Sequence, residues 1–434
     1  MSPGDIGVIG ICCLILLFLL GMPVAFAMGV VGFCGLIWLT NLDGALLMIS
    51  RVFFEELSSY PLSVIPMFVL MGTFASASGI SERLYRAAYT WLGHWRGGLG
   101  IATIFACASF GAICGSSTAT TAAMGQIALP EMRKYGYDDS FASGTVAAGG
   151  TLGILIPPST VLIIYGILTE QSIGKLFVAG ILPGILVSLL FALTVYLTCL
   201  KRPEVAPRGK NFTFKEKVKV LVNVTEVAIL FALALGGLFL GWFSPTQAGA
   251  VGAAGALVIG LARGKLNKKA LLWACREGLR TSCMVFFIIV GATLFGYFIA
   301  VTRIPFELIE FVKSLNVPSI VVMVIIMLTY FFGGFFMDSM ALIVLTVPIF
   351  YPLVTELGFD PIWFGVIIVL LGEMGVLTPP VGVNVFVVKG IVQDVPIEQI
   401  FKGIIPFVVA LIIATVIITV FPIIVTFLPA YITY

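Results

Sequence analysis

Hydroxyl side chains gather at Ser116, Ser117, Thr118 and Thr120, and a carboxylate stands beside a hydroxyl at Asp338 and Ser339, each group inside an otherwise small and apolar stretch. Such oxygens are hard ligands suited to a small hard cation, and one carboxylate suffices for charge balance. Two further stretches offer bare backbone oxygens. Gly153 to Ser159 (GILIPPS) and Gly375 to Val381 (GVLTPPV) lie mid-way along hydrophobic segments long enough to cross a bilayer. Consecutive prolines delete two amide donors and clash with the preceding turn, so a helix breaks at each. At membrane depth a break is tolerable only if it is buried in protein or lines a cavity for an ion or polar solute. Half-helix N-termini there favour anions, and half-helix C-termini with freed carbonyls favour cations. The chemistry expected is therefore binding: sodium among Ser116, Ser117, Thr118, Thr120, the carbonyls of Gly153 to Ile156 and Ser159 on one side, and among Asp338, Ser339, Thr378, the carbonyls of Gly375 to Pro379 and Asn384 on the other.

Each residue also has a plainer reading. Ser and Thr in a membrane hairpin often bond only to the preceding turn. Asp338 reads as an ion-site carboxylate or a paired structural acid. Glu373 reads as a proton site, a packing acid or a supporting group. Arg303, on the sparsely basic outer face, meets a substrate carboxylate or simply anchors the interface.

The elements that must position these groups are membrane helices. With 60% apolar and only 10% charged residues in 434, against about 25% charged in soluble domains, the chain is an integral membrane protein with about ten to twelve membrane segments of roughly 20 residues. The run Ile6 to Leu20 follows Asp5 and no basic residue, so it reads as a retained helix rather than a signal peptide. The eight cysteines lack C-x-x-C spacing and read as packing residues. Alternating the loops across the bilayer puts 20 of the 24 Lys and Arg on one face, the cytoplasmic one, leaving Arg51, Lys175, Arg303 and Lys313 outside. Enzymes and primary pumps fit poorly. The nearest phosphate-loop candidate, Gly260 to Lys265, lacks the spacing, and the single histidine, His94, lies at an interface.

In chain order, residues 6–20 and 22–40 read as a helical hairpin, Leu62–Ser78 as a third span, and Ser81–Trp95 as an amphipathic interface helix. Residues 100–130 read as a re-entrant hairpin turning at GSSTATT, because Arg96 before it and Arg133 and Lys134 after it both want the cytoplasm. A broken span, 140–168, and a return span, 176–200, follow. The second half repeats the first at an offset near 222: Pro23 with Pro245, Ser117 with Ser339, Asp138 with Asp360, and Pro157-Pro158 with Pro379-Pro380. Flanking charges have opposite sign, so the repeats are inverted. The second hairpin, 320–352, then enters from outside with its tip near Met337 to Met340.

The fold class is thus an all-α polytopic membrane protein of two inverted repeats, each with a re-entrant helical hairpin and a broken helix. The first repeat is 1–210: scaffold 1–99 and 176–200, transport part 100–175, with a basic linker 201–219. The second is 211–434: scaffold 220–316 and 403–434, transport part 317–402.

GGTLGILIPPSTVLIIYG (149–166), GEMGVLTPPVGVNVFVVKG (372–390), the GSSTAT hairpin and FMDSMA (336–341) resemble the large membrane subunit, DctM type, of tripartite ATP-independent periplasmic (TRAP) transporters, across essentially the whole chain. The resemblance implies a sodium-driven, elevator-type importer of organic acids such as C4-dicarboxylates or sialic acid in the bacterial inner membrane. It implies two partner proteins, a small four-helix membrane subunit (DctQ type) and a periplasmic substrate-binding protein (DctP type). Beyond these and the lipid bilayer no nucleic acid and no resident cofactor is expected, sodium being the coupling ion. One sodium site falls to Ser116, Ser117, Thr118, Gly153, Ile156 and Ser159, and the other to Asp338, Gly375, Thr378, Pro379, Val381 and Asn384. The substrate falls between the tips, near Ser159 and Thr378. The competing expectation is a stand-alone sodium- or proton-coupled carboxylate carrier that needs no binding protein.

Overall fold

The structure, a computed structural model, describes residues 1–222, 224–315 and 317–431, and among them every regular element is helical. The first half builds α1 (Pro3–Leu19), α2 (Val24–Leu39), α3 (Leu42–Leu57), α4 (Val64–Ala77), α5 (Ile80–Leu92), α6 (Gly98–Cys114), α7 (Ser117–Lys134), α8 (Asp139–Leu155), α9 (Thr160–Leu168) and α10 (Ile173–Lys201). The second builds α11 (Phe214–Val222), α12 (Thr225–Phe231), α13 (Gly237–Phe239), α14 (Pro245–Ala262), α15 (Lys268–Thr302), α16 (Ile304–Ser314), α17 (Ser319–Gly333), α18 (Ser339–Glu356), α19 (Pro361–Leu377), α20 (Val383–Ile391), α21 (Ile397–Val420) and α22 (Ile423–Thr426). Seven helical stretches among the described residues are long and apolar enough to cross a bilayer, α8 and α9 counting as one, and α1, α2, α6, α17 and α19 are apolar but shorter. An α6 of 17 residues rises about 25 Å at 1.5 Å per residue, short of the ~30 Å hydrocarbon core.

The duplication is visible element by element. Adding 222 to the bounds of α7 gives those of α18, and adding it to α8 gives α19. Asp138 and Asp360 cap the N-termini of α8 and α19, their carboxylates accepting from the Phe141 and Trp363 amides at 2.9 and 2.8 Å. Packing is reciprocal: α2 lies on α15 while α14, its counterpart, lies on α4, and α9 packs on α18 while α20 packs on α7.

Hydrogen bonds at the two ends fix the relative direction of the repeats. At one end Ser140 Oγ donates to the Gln399 carbonyl at 2.5 Å, and Arg133 bridges Asp139 (2.7 Å) and Asp394 (2.8 Å). The starts of α8 and α21 and the end of α20 therefore lie together. At the other end Tyr165 Oη donates to the Pro361 carbonyl at 2.6 Å, and Gln171 Nε2 to Tyr351 Oη at 3.0 Å. So α9 ends where α19 begins, and the two broken spans run antiparallel. The α6–α7 hairpin enters from the Asp138 end, where the Leu99 amide donates to Tyr137 Oη at 3.2 Å. The α17–α18 hairpin returns to the Tyr351 end.

Three features depart from the expected outline. Residues 42–57 form a separate helix, α3, because Pro61 in the 3-10 turn Tyr60–Ser63 interrupts what the second half builds as one 35-residue α15. The basic linker 201–219 already begins α11 at Phe214. The interface helix expected over Ser81–Trp95 ends at Leu92. Asn223 and Asn316 in the expected second-repeat scaffold, and its last residues 432–434, lie outside the described residues.

The two breaks differ in cover. Pro157, Pro158 and Ser159 are buried, whereas Pro379, Pro380 and Val381 are exposed. Helix α10 seals the first break because Gly180 and Gly184 let it approach: a Cβ at Gly180 would lie 2.9 Å from the Leu155 carbonyl and one at Gly184 2.6 Å from Ile156. Helix α21 leans mainly on α8, with Gly403 against the Ser140 carbonyl, and meets the second break through Phe401 at Gly382 without covering Pro379 to Val381. The second break therefore stays open.

Candidate ion and solute site between the hairpin tips

The first tip turns at Gly115, whose φ of +65° is the left-handed conformation glycine adopts without penalty. Its carbonyl accepts from Thr160 Oγ1 at 3.0 Å, and a Cβ there would sit 2.7 Å from the Pro158 carbonyl. The tip thus docks onto the first break. Ser116 caps α7, accepting from the Ala119 amide at 3.4 Å with Thr118 Oγ1 3.2 Å away. Ser159 caps α9 from the Leu162 amide at 3.3 Å and is fully buried. A Cβ on Gly153 would lie 2.5 Å from Thr120 Oγ1 and 2.6 Å from the Ser116 carbonyl, so two oxygens face the last turn of α8. Ile156 is half-buried against Gly184.

The second tip packs equally tightly, Gly334 against Gly375 backbone to backbone. Asp338 occupies the position equivalent to Ser116 and does the same local job, capping α18 by accepting from the Met340 amide at 3.1 Å. Its residue is exposed on the open side. Thr378 caps the broken end of α19, its hydroxyl donating to the Met374 carbonyl at 2.5 Å. Pro379 and Val381 line the open edge. Asn384, wholly buried, donates from Nδ2 to the Ala147 carbonyl of α8 at 3.3 Å and so ties the second break to the first repeat.

Ser339, the repeat equivalent of Ser117, donates to Glu373 Oε1 at 2.8 Å, and Ser117 itself lies beside the same carboxylate. Glu373, 1% exposed, thus sits where the first turns of both hairpins' returning arms meet. Among the described residues its Oε2 has no hydrogen-bond partner, nor have Thr120 Oγ1, Ser143 Oγ and Asn384 Oδ1. Buried oxygens are ordinarily satisfied, and hard oxygens left unsatisfied in a buried centre match the requirements of a small hard cation.

The geometry therefore brings together Ser116, Thr118, Thr120 and Gly153 at the first tip and Ser117, Ser339 and Glu373 between the tips, with Asp338 at the start of α18, Gly375 against Gly334, Asn384 against Ala147 of α8, and Thr378, Pro379 and Val381 at the open edge. It does not bring in Arg303, which is exposed in the turn from α15 to α16 with φ +61°. Reasoning from sequence passed over Gly150 and Gly372, which permit the crossing. A Cβ on Gly150 would collide with Thr121 Oγ1, and one on Gly372 would lie 3.0 Å from Ser339. The signal was present as a Gly pair at the repeat offset.

The sequence matches the family profile described as "Tripartite ATP-independent periplasmic transporter, DctM component" over residues 11–424. It is similar to the C4-dicarboxylate TRAP transporter large permease protein DctM of Vibrio cholerae, 33% identical over 435 residues and 95% of each chain. To the protein of the same name in Pseudomonas aeruginosa it is 36% identical, over 85% of this chain and 86% of that one. To the sialic acid TRAP transporter large permease protein SiaM of V. cholerae it is 33% identical, over 93% of each. In fold it is similar to the YdaH transporter of Alcanivorax borkumensis, with a TM-score of 0.63 at 16% identity over 91% of this chain and 90% of that one. Two antiparallel repeats whose hairpin tips close on proline breaks, together with these matches along nearly the whole chain, place this multi-pass inner-membrane protein in the DctM family of TRAP transporter large permease components.

Proposed function

We propose that this chain is the sodium-coupled, elevator-type subunit of an importer for a small organic acid. The observation that carries the reading is the pair of hairpin tips closing on two oppositely directed breaks, with buried oxygens of Thr120, Asn384 and Glu373 left unpaired between them. Sodium, as co-transported cargo, occupies the hydroxyl and carbonyl oxygens of Ser116, Ser117, Thr118 and Gly153 to Ser159 on one side, and of Asp338 and Gly375 to Asn384 on the other. The acid docks at the open second break beside Thr378, opposite Ser159. Relatives are named for C4-dicarboxylate, sialic acid, 2,3-diketo-L-gulonate and isethionate, which supports a small organic acid as substrate.

The unit that moves is α6 to α9 with α17 to α20. Glycine-mediated approaches hold it together: Gly111 on Gly153, Gly334 on Gly375. A body packed that tightly travels as one piece against α2, α4, α14 and α15, which pack on one another. The expected partners are a small membrane subunit and a periplasmic binding protein that delivers the acid. Uptake of labelled acid into proteoliposomes tests the reading. Accumulation requires an inward sodium gradient and both partners. Accumulation without any binding protein overturns the tripartite reading in favour of a stand-alone carboxylate carrier, and sodium-independent accumulation overturns the coupling.

A further inference from the structure

At the cytoplasmic end of the scaffold, far from the hairpin tips in sequence, Arg83 and Arg86 of α5, Val220 of α11 and Arg263 just past α14 line a cavity of about 240 Å³. The end is fixed by the linker. The Gly209 amide donates to the Gly93 carbonyl at 2.9 Å and the Asp138 amide to the Val205 carbonyl at 2.9 Å, so α5 finishes beside the Arg133–Asp394 pair. Positive charge concentrates on this face of the protein.

Three guanidiniums surround the cavity and one carboxylate, Glu226, answers them. Arg263 takes it closely, through Nη2 at 2.5 Å and Nε at 3.1 Å, while Arg83 reaches it only through Nη1 at 3.3 Å. The other Arg83 nitrogen, Nη2, is buried and has no partner among the described residues. Arg86 makes no ion pair among them. Glu82, exposed on the same helix, does not line the cavity. The balance leaves positive charge without a protein partner.

The surroundings indicate the depth. Trp91 of the amphipathic α5 and Trp95 just past its end are exposed, as are Leu221 and Val222 of α11, and Trp91 Nε1 donates to the Lys217 carbonyl at 3.2 Å. Exposed indole and aliphatic side chains beside clustered arginine are the composition of a bilayer interface. A guanidinium fork matches phosphate oxygens, and basic pockets between membrane helices on the cytoplasmic side suit anionic head groups.

We propose that this cavity binds the phosphodiester of an anionic phospholipid of the inner leaflet, through Arg83 Nη2 and Arg86. The site is separate from the transport reading and stands whether or not the sodium coupling does.

The test uses the full chain purified in detergent and titrated with phosphatidylglycerol, phosphatidylcholine or inorganic phosphate, read by lipid adducts in native mass spectrometry and by the thermal unfolding midpoint. Phosphatidylglycerol is retained and raises the midpoint. Arg86→Gln, an exposed and unpaired position, weakens retention about fivefold. Glu226→Gln strengthens it, because it removes the carboxylate that competes for the guanidiniums. Lys134→Gln changes nothing. Equal protection by phosphatidylcholine, or unchanged retention in Arg86→Gln, overturns the proposal. Equal protection by inorganic phosphate overturns the lipid assignment in favour of a free-anion site.

Discussion

Ser339 Oγ donates to Glu373 Oε1 at 2.8 Å, joining the first turn of one hairpin's returning arm to the middle of the second broken span. The repeat equivalent of Ser339 is Ser117, which flanks the same carboxylate. The equivalent of Glu373 is Thr151, whose hydroxyl merely donates to the Ala148 carbonyl of its own helix at 2.7 Å. One acid thus serves two equivalent serines, and the site has a centre that the duplication alone does not imply.

Ser339→Ala strips Glu373 of the 2.8 Å hydrogen bond that Ser339 donates to it. Leaving a buried polar group unsatisfied costs about 1–3 kcal/mol, so the variant unfolds at a lower temperature than wild type. Glu373→Gln retains an oxygen that accepts from Ser339 and keeps most of the stability. A Ser339→Ala protein as stable as wild type would remove the bond from the site's architecture.

Asp338 caps α18 and is proposed to hold sodium, and two substitutions separate these roles. Asparagine caps a helix as well as aspartate does, whereas alanine costs about 1 kcal/mol. Asp338→Asn therefore folds normally but loses sodium-stimulated uptake, and Asp338→Ala loses both. Wild-type sodium stimulation in Asp338→Asn leaves the residue as a cap only.

Gly150→Ala drives a methyl group into Thr121 Oγ1 and the Ser117 carbonyl. Overpacking of this kind costs about 1–3 kcal/mol, and here it also pushes the first hairpin from its seat, so uptake falls further than stability. Gly29→Ala, in α2 with nothing within 4 Å of the added carbon, is neutral or stabilising because alanine favours helix by about 1 kcal/mol. Thermal unfolding and initial uptake rates for the pair check the contrast.

Thr378→Ala removes a hydroxyl bound to the freed Met374 carbonyl at the open break. Uptake falls while membrane expression stays at the wild-type level, and Thr378→Ser restores it. Wild-type kinetics in the alanine variant would confine Thr378 to a structural role.

Asp394 lies in the exposed loop before α21, and its bond to Arg133 holds its carboxyl below the ordinary carboxylate range. A depressed folded value means that the pair stabilises the protein above the usual carboxylate pKa and loses that effect as pH falls through the lowered one. The stability gap between wild type and Asp394→Asn is accordingly small, present at neutral pH, and closed in strong acid. A gap that widens on acidification contradicts the pairing.

Membrane class, duplication, inversion and the broken helices were legible in the residues for physical reasons. Twenty-residue apolar runs have nowhere else to go, two adjacent prolines cannot continue a helix, and basic loops choose a side. These rules depend on local composition and spacing. The first hairpin tip was legible too, because small and hydroxyl residues between Arg96 and Arg133 call for a re-entrant turn, and the inverted repeat carried that reading to the second. Helix α3 was not: its separation from α4 hangs on Pro61 lying where the second half has Cys283 and runs straight.

What the sequence by itself determined is the inventory: two copies of hairpin and broken span, inserted from opposite sides, with side-chain oxygens at matching positions in the hairpin tips, Ser116 with Asp338 and Ser117 with Ser339. Tertiary structure alone decided how those copies differ. Glycines at 180 and 184 let α10 close over the first break, while α21 leans on α8 and leaves the second break open, and Asn384 reaches across to the other repeat. The physical reason is that a repeat offset reports which residues are equivalent, whereas burial and hydrogen bonding depend on which helix happens to cover each one. No spacing within a single copy encodes that cover.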